Sequence, residues 1–141
     1  MSSFWRNWLT VWCWAVGVFG VVLVGGVFDA TSLPTRLFFG ILNGPALLDL
    51  DAQARFSLGV LGAVTLGWSL TLAAAIGAAI ALGEQGRPTW VLTTASVFAW
   101  FLIDTPLSIA TGYGLNAIPN LIFLVAFLTP VLASGVLRAP R

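Results

Sequence analysis

Long apolar stretches alternate with short charged segments along this chain. Between Arg6 and Asp29 lie 22 residues without a charge, and between Arg55 and Glu84 lie 28. Either stretch can form a helix that crosses a bilayer, because a crossing needs about 20 apolar residues. The pattern therefore predicts two membrane helices, at about residues 8–28 and 56–82.

Two further apolar runs follow, and each contains a proline. The third predicted helix begins at Pro88, a residue favoured in the first turn, and runs to about residue 111. The fourth covers about residues 118–137. Because proline lacks a backbone N–H, Pro106 predicts a kink in the third helix. The predicted fold is an all-α integral membrane domain over residues 1–141, an up-down bundle of four transmembrane helices.

The segment between the first two helices, residues 29–55, is longer than a simple connection. Its apolar side chains fall on one helical face, which predicts a short helix lying in the outer membrane interface. The alternative is a lid over the outer mouth of the bundle. The residues of this face are Leu33, Leu37, Phe38, Ile41 and Leu42.

Acidic residues at the end of this segment have structural roles available to them. Asp49 or Asp51 is expected to cap the second membrane helix, since aspartate is favoured at that position. Asp51 also precedes Arg55 by four residues, a spacing that favours an exposed ion pair.

Composition strengthens the membrane prediction and narrows the chemistry. Only 8% of residues are charged and 59% are hydrophobic, whereas a soluble domain carries about a quarter charged residues. With no histidine and with Cys13 as its one cysteine, the chain lacks the groups for zinc, iron–sulfur or His-ligated haem sites and for Ser–His–Asp or Cys–His catalysis. A net charge of +1 does not suit nucleic acid. We expect no enzyme, no cofactor, no metal site and no nucleic-acid partner.

Arginine distribution predicts the orientation. Four crossings place both termini on one side, and the side with more arginine in its short loops faces the cytoplasm. The terminal side carries Arg6, Arg87, Arg138 and Arg141, against Arg36 and Arg55 on the other. Both termini are therefore predicted to be cytoplasmic.

Small residues recur at every fourth position of the second membrane helix. In lipid, such residues let helix backbones approach closely. Two partners fit this ladder: the other helices of the same chain, or a second protein in a homo-oligomer or larger membrane complex. The ladder consists of Gly59, Ala63, Gly67, Thr71 and Ala75.

Asp104 is the one acidic residue inside a predicted span, on a polar face with Ser96, Trp100 and Ser108. An ionised carboxylate at the centre of a membrane helix costs about 2.5–3.5 kcal/mol or more, so the side chain should face the bundle. The neutral candidate partners are Trp68, Trp100, Thr65, Ser69, Thr71, Asn116 and Asn120. Asp104 is either a structural residue, as a cap at the break made by Pro106 or as a link between helices of the bundle, or a protonatable functional site. Asn116 is expected to cap the fourth helix.

The segments "RFSLGVLGAVTLGWSLTLAAA" and "WFLIDTPLSIATGYGLNAIPN", with the tryptophan-rich start "FWRNWLTVWCW", resemble small uncharacterised four-span proteins of bacterial inner membranes. The resemblance implies a bacterial, multi-pass inner-membrane protein and no particular chemistry. Small multidrug-resistance transporters are similar in size, but their membrane acid lies in the first helix, where this chain has none.

Two functional hypotheses follow. The first is a non-enzymatic accessory or oligomeric membrane protein that associates through the small-residue ladder. The alternative is a small transporter or sensor in which Asp104 binds a proton or cation, with Trp68, Trp100 and Ser108 lining the site.

Overall fold

The structure, a computed structural model, describes residues 1–43 and 50–138, and these are all-helical apart from turns. Four of the helices are long and apolar enough to cross a membrane, the number that the sequence predicts. The α-helices are α1 (Ser3–Gly25), α2 (Leu33–Asn43), α3 (Ala52–Ala81), α4 (Arg87–Ala110) and α5 (Ala117–Ala133). Short 3₁₀ turns at Asp29–Thr31, Gly83–Gly86 and Gly114–Asn116 connect them.

The four long helices form an antiparallel bundle around a shared apolar core. α1 packs mainly on α3, α4 packs on α3 and α5, and α5 returns to α1. The bundle has two ends. The terminal end holds the starts of α1 and α4, and the loop end holds α2 and the Gly114–Asn116 turn, which contact each other.

α1 and α3 meet through glycine. A methyl group added at Gly62 would lie 2.6 Å from the Gly20 carbonyl oxygen, and one added at Gly20 would lie 2.8 Å from the Gly62 carbonyl oxygen. Nearer the terminal end of the bundle, the Ser69 hydroxyl donates to the Cys13 carbonyl oxygen at 2.7 Å. Direct backbone contact and an interhelical hydrogen bond hold α1 and α3 together.

The small-residue ladder is not the face on which α1 packs. Ala63, Gly67 and Thr71 are exposed, and a methyl group added at Gly67 would meet no atom within 4 Å. A step of four residues drifts about 40° around a helix, so the ladder winds away from a partner. Packing at a shallow angle instead follows steps of three and four. The buried positions of α3 have that spacing: Leu58, Gly62, Ser69, Leu72, Ile76 and Ala79.

Two tryptophan side chains join α1 to α5, and one of them binds the carbonyl that a proline leaves free. Pro130 lies inside α5 and has no N–H to donate to the Ala126 carbonyl. The Trp8 indole donates to that oxygen at 2.8 Å, and Trp12 donates to the Phe123 carbonyl at 3.0 Å. The Trp8 indole therefore supplies a donor where the α5 backbone lacks one, and the Trp12 indole adds a second link between α1 and α5.

α2 is the short helix predicted between the first two spans, but its predicted apolar face is divided. Leu33, Leu37 and Ile41 are exposed, whereas Leu42 is buried and Phe38 is half-buried. The other side of α2 is anchored to α1, because the Thr35 hydroxyl donates to the Val22 carbonyl oxygen at 2.5 Å and the Phe38 ring contacts the Phe19 ring. α2 therefore packs on α1 through Thr35 and Phe38 and leaves Leu33, Leu37 and Ile41 exposed.

Arg55 binds a different carboxylate from the one that local spacing predicts. Asp51 is the N-cap of α3 and accepts the Ala54 N–H at 2.7 Å. The Arg55 guanidinium donates instead to Asp29 at 2.5 Å and to the Val27 carbonyl oxygen at 2.9 Å. The hydrogen bond from Arg55 and its positive charge lower the pKa of Asp29. Asp49 lies outside the described residues.

The helix bounds differ from the predicted ones by three or more residues at four ends, one of which is the start of α3 at Ala52 rather than near residue 56. α1 begins at Ser3 because the Ser2 hydroxyl accepts the Trp5 N–H. It ends at Gly25 rather than near residue 28. α5 ends at Ala133 rather than near residue 137, because Gly135 has a φ of +65°, which ends a right-handed helix.

Candidate functional site

Asp104 lies within a continuous helix. α4 runs through Pro106 to Ala110, so the proline does not divide it into two segments with a cap between them. Asp104 stands six residues before Ala110, which is about 9 Å from the loop end of the helix. Its side chain is half-buried against α5.

The carboxylate of Asp104 accepts hydrogen bonds from two side-chain amides. Asn116 Nδ2 lies 3.0 Å from Asp104 Oδ2, and Asn120 Nδ2 lies 2.6 Å from the same oxygen. The cap interpretation of Asp104 is therefore wrong in its geometry: the donors are side chains of the next helix and the turn before it. Hydrogen bonds of this kind to an ionised oxygen are stronger than those between neutral groups.

The amide of each asparagine also contacts a hydroxyl group. Asn116 Nδ2 lies 3.0 Å from Ser108 Oγ, and Asn120 Nδ2 lies 3.0 Å from Thr105 Oγ1. A side-chain amide has two N–H donors, so both hydrogens of each asparagine are used. The polar cluster, as we name it, consists of Asp104, Thr105, Ser108, Asn116 and Asn120. Asn120 is its most buried member, with 5% of its surface exposed.

A tight turn sets the register of this cluster. Gly112 has a φ of +89°, a conformation that glycine adopts without strain, and the Tyr113 N–H donates to the Ser108 carbonyl oxygen at 2.8 Å. The chain then returns antiparallel to α4, which sets Asn116 beside Ser108 and Asn120 beside Asp104. Asn116 sits at the N-cap position of α5 but makes no side-chain cap hydrogen bond there, because its amide is directed at α4.

Other side chains considered as partners of Asp104 bind elsewhere. The Trp68 and Trp100 rings contact each other with centroids 5.9 Å apart. The hydroxyl groups of Ser69, Thr65, Thr71 and Ser96 donate to backbone carbonyl oxygens of Cys13, Leu61, Gly67 and Thr93. The sequence therefore named Ser108, Asn116 and Asn120 among the groups that meet at Asp104, together with several that do not. It missed Thr105, whose position next to Asp104 and three residues before Ser108 was the available signal.

The polar cluster contains one carboxylate, two amides and two hydroxyls. Within residues 1–43 and 50–138, no group of three or more His, Cys, Asp or Glu side chains comes together. Asp104 is also the one acidic residue within α1, α3, α4 and α5. Its partners compensate its charge by dipoles rather than by a basic side chain.

Comparison with protein-family models, with curated proteins and with solved structures gives no match.

Proposed function

We propose that this protein is an integral membrane protein of the bacterial inner membrane, with both termini in the cytoplasm. Large apolar side chains support the placement in lipid, because they are exposed on each long helix, whereas soluble monomers rarely expose large continuous apolar areas. Examples are Trp14, Phe56, Leu92, Leu102, Ile122 and Leu132. Arg6 and Arg87 at the terminal end support the orientation. Arg141, used in predicting it, lies outside the described residues.

We further propose that the protein is a small transporter or sensor that uses Asp104 as its membrane-embedded proton or cation site. The observation that carries this proposal is the Asn116 and Asn120 amides directed at one carboxylate oxygen, at 3.0 and 2.6 Å. Acidic residues within membrane helices are costly and rare, and where they occur they commonly mark ion or proton pathways. A carboxylate held by reorientable neutral amides, with no basic side chain among its described partners, keeps its charge available to an ion.

Replacement of the charge alone tests this function. Asp104→Asn keeps the size and shape of the side chain, and we expect it to abolish proton or cation flux, or the ion response, of the protein in reconstituted vesicles. A pH-sensitive dye trapped in the vesicles measures proton flux. Asp51→Asn is the matched control, because asparagine also caps a helix and the residue lies outside the spans. Flux that is Asp104-independent, or absent from the wild type in every ion gradient, would contradict the proposal.

A second candidate function is association of copies through the exposed ladder of α3. Ala63 and Gly67 of the ladder are continued by Leu70, Ala74 and Gly77 in steps of three and four, and all five are exposed. A methyl group added at Gly67 or Gly77 would meet nothing within 4 Å. This spacing suits a second helix packed at a shallow angle, and small residues let backbones approach in lipid. A second copy of α3 fits, since it carries the same uncharged face.

Gly67→Leu is expected to shift the protein in vesicles from a homo-oligomer towards the monomer, because the larger side chain separates the two backbones. Subunit counting by single-molecule photobleaching measures the shift. Gly40→Leu is the control: it lies in α2, and an added methyl group there also meets nothing within 4 Å. Monomeric wild-type protein at every lipid dilution would exclude association through this face.

A further inference from the structure

We infer that the ligand of the polar cluster is a small monovalent cation, Na⁺, bound directly by side-chain oxygens of α4, the Gly114–Asn116 turn and α5. The inference rests on the proposed function of Asp104 and names the ion. Its basis is the convergence of five side chains that each carry an oxygen atom: one carboxylate, two amides and two hydroxyls.

Rotation of the two amides converts a set of hydrogen bonds into a set of ligands. The nitrogen and oxygen of an asparagine amide exchange places when the group turns by half a rotation, and the remaining heavy atoms stay where they are. After this rotation the amide oxygen of Asn116 lies near Asp104 Oδ2 and Ser108 Oγ, and that of Asn120 lies near Asp104 Oδ2 and Thr105 Oγ1. Each amide oxygen then lies beside the shared Asp104 oxygen and one hydroxyl, without a change in the backbone.

The spacing of these atoms fits a shared cation. The four contacts of the cluster span 2.6 to 3.0 Å. Oxygen ligands of hard cations lie about 2.0–2.6 Å from the ion, and neighbouring ligands in such a shell are therefore about 3 Å apart or slightly more.

The charge of the cluster selects a monovalent ion. Asp104 contributes one negative charge, and α1, α3, α4 and α5 contain no second acidic residue. A monovalent cation makes the cluster neutral, whereas a divalent cation leaves a net positive charge in a region of low dielectric constant, where an uncompensated charge is very costly. Sites for Ca²⁺ commonly recruit several carboxylates for this reason.

The register of α4 against α5 makes this set of oxygens specific. Asn116 and Asn120 are four residues apart and meet Ser108 and Asp104, which are also four residues apart. The polar groups therefore pair at two successive levels, about one helical turn apart, and both amides contact the same Asp104 oxygen. Thr105 contacts the more buried asparagine from the side of α4. Na⁺ would thus bridge α4 and α5 at the loop end of the bundle.

Thermal unfolding of the purified full chain in detergent tests the inference. NaCl is titrated against choline chloride at constant ionic strength, with CaCl₂ in a parallel series. We expect a saturable rise in the unfolding temperature with Na⁺, since a ligand that binds the folded state stabilises it. Ca²⁺ and choline are expected to give no such rise. Asp104→Asn should weaken Na⁺ binding by about tenfold or more, a loss of at least about 1.4 kcal/mol, and Asp51→Asn should leave it unchanged.

Variants that remove a single hydroxyl keep the test decisive if Asp104→Asn fails to fold. Ser108→Ala and Thr105→Ala retain the carboxylate and both amides, and each is expected to weaken the apparent Na⁺ affinity several-fold. Sodium effects equal in the wild type and in both hydroxyl variants would overturn the inference. Asp104-dependent proton flux without any Na⁺ effect would also overturn it while leaving the proposed function in place. Absence of both would contradict the two proposals together.

Discussion

Gly62→Ile is expected to destabilise the protein by about 3 kcal/mol, because enlarging a side chain in a packed interface costs about 1–3 kcal/mol and more where the neighbour is backbone. A Cβ at this position lies 2.6 Å from the Gly20 carbonyl oxygen and 2.7 Å from the Val24 backbone nitrogen. Neither atom belongs to a flexible side chain, so α1 and α3 must separate. Reversible unfolding in mixtures of mild detergent and sodium dodecyl sulfate measures the loss.

Gly67→Ile is the matched control for this change. It makes the same substitution five residues further along α3, where an added methyl group meets no atom within 4 Å. The free energy of unfolding of the monomer should change by no more than about 0.5 kcal/mol, as for most exposed positions. Equal losses for the two variants would show that α1 and α3 do not meet at Gly20 and Gly62.

The contrast between Gly62 and Gly67 shows how far sequence alone can predict packing. Small residues at every fourth position predict a face of α3 that a partner can approach closely, but α1 does not pack on that face. The α1 contact instead follows the spacing of three and four on which Gly62 lies. That choice depends on where Gly20 falls on α1, and the sequence of one helix contains no information on its partner's register.

The sequence predicted only part of the membership of the polar cluster, since it missed Thr105, and it did not predict the geometry. An acid in an apolar helix requires neutral donors when no basic residue is near, and this requirement pointed to Asn116 and Asn120. Their selection over Trp68 and Trp100 follows from the turn at Gly112, which fixes the register of α5 against α4. Pro106 suggested a cap, yet α4 continues through it, because a helix tolerates proline where its surroundings compensate.

At the loop end of the bundle, the spacing of residues along the chain also predicted the wrong partner for Arg55. Asp51 and Arg55 stand four residues apart, but Arg55 turns to Asp29 and to the end of α1. An exposed ion pair contributes about 0–1 kcal/mol, so the local pair has little advantage over competing contacts. Arg55 also donates to the carbonyl oxygens of Leu50 and Val27, and buried backbone acceptors need such donors. Contacts of Arg55 with Val27 and Asp29, which are distant in the sequence, therefore replace the predicted pair with Asp51.

Asn120→Leu is expected to destabilise the protein by about 3 kcal/mol, because it removes the donor at 2.6 Å from Asp104 and leaves a half-buried carboxylate short of one partner. The hydrogen bond to Thr105 is lost as well. Unfolding in detergent mixtures again gives the free energy. Asn7→Leu is the control, since Asn7 is an exposed residue of α1 and should change the free energy of unfolding by at most about 0.5 kcal/mol.

The double variant Asp104→Leu/Asn120→Leu separates a structural from a functional reason for the cluster. Removing both partners of a buried polar pair is often nearly neutral, whereas removing one leaves the other unsatisfied. We therefore expect the double variant to recover most of the stability lost in Asn120→Leu and yet to lose the ion response entirely. Such a result would mean that the apolar pair folds as well as the native one, so that stability alone does not account for Asp104. A double variant less stable than Asn120→Leu would instead make the cluster a structural link between α4 and α5.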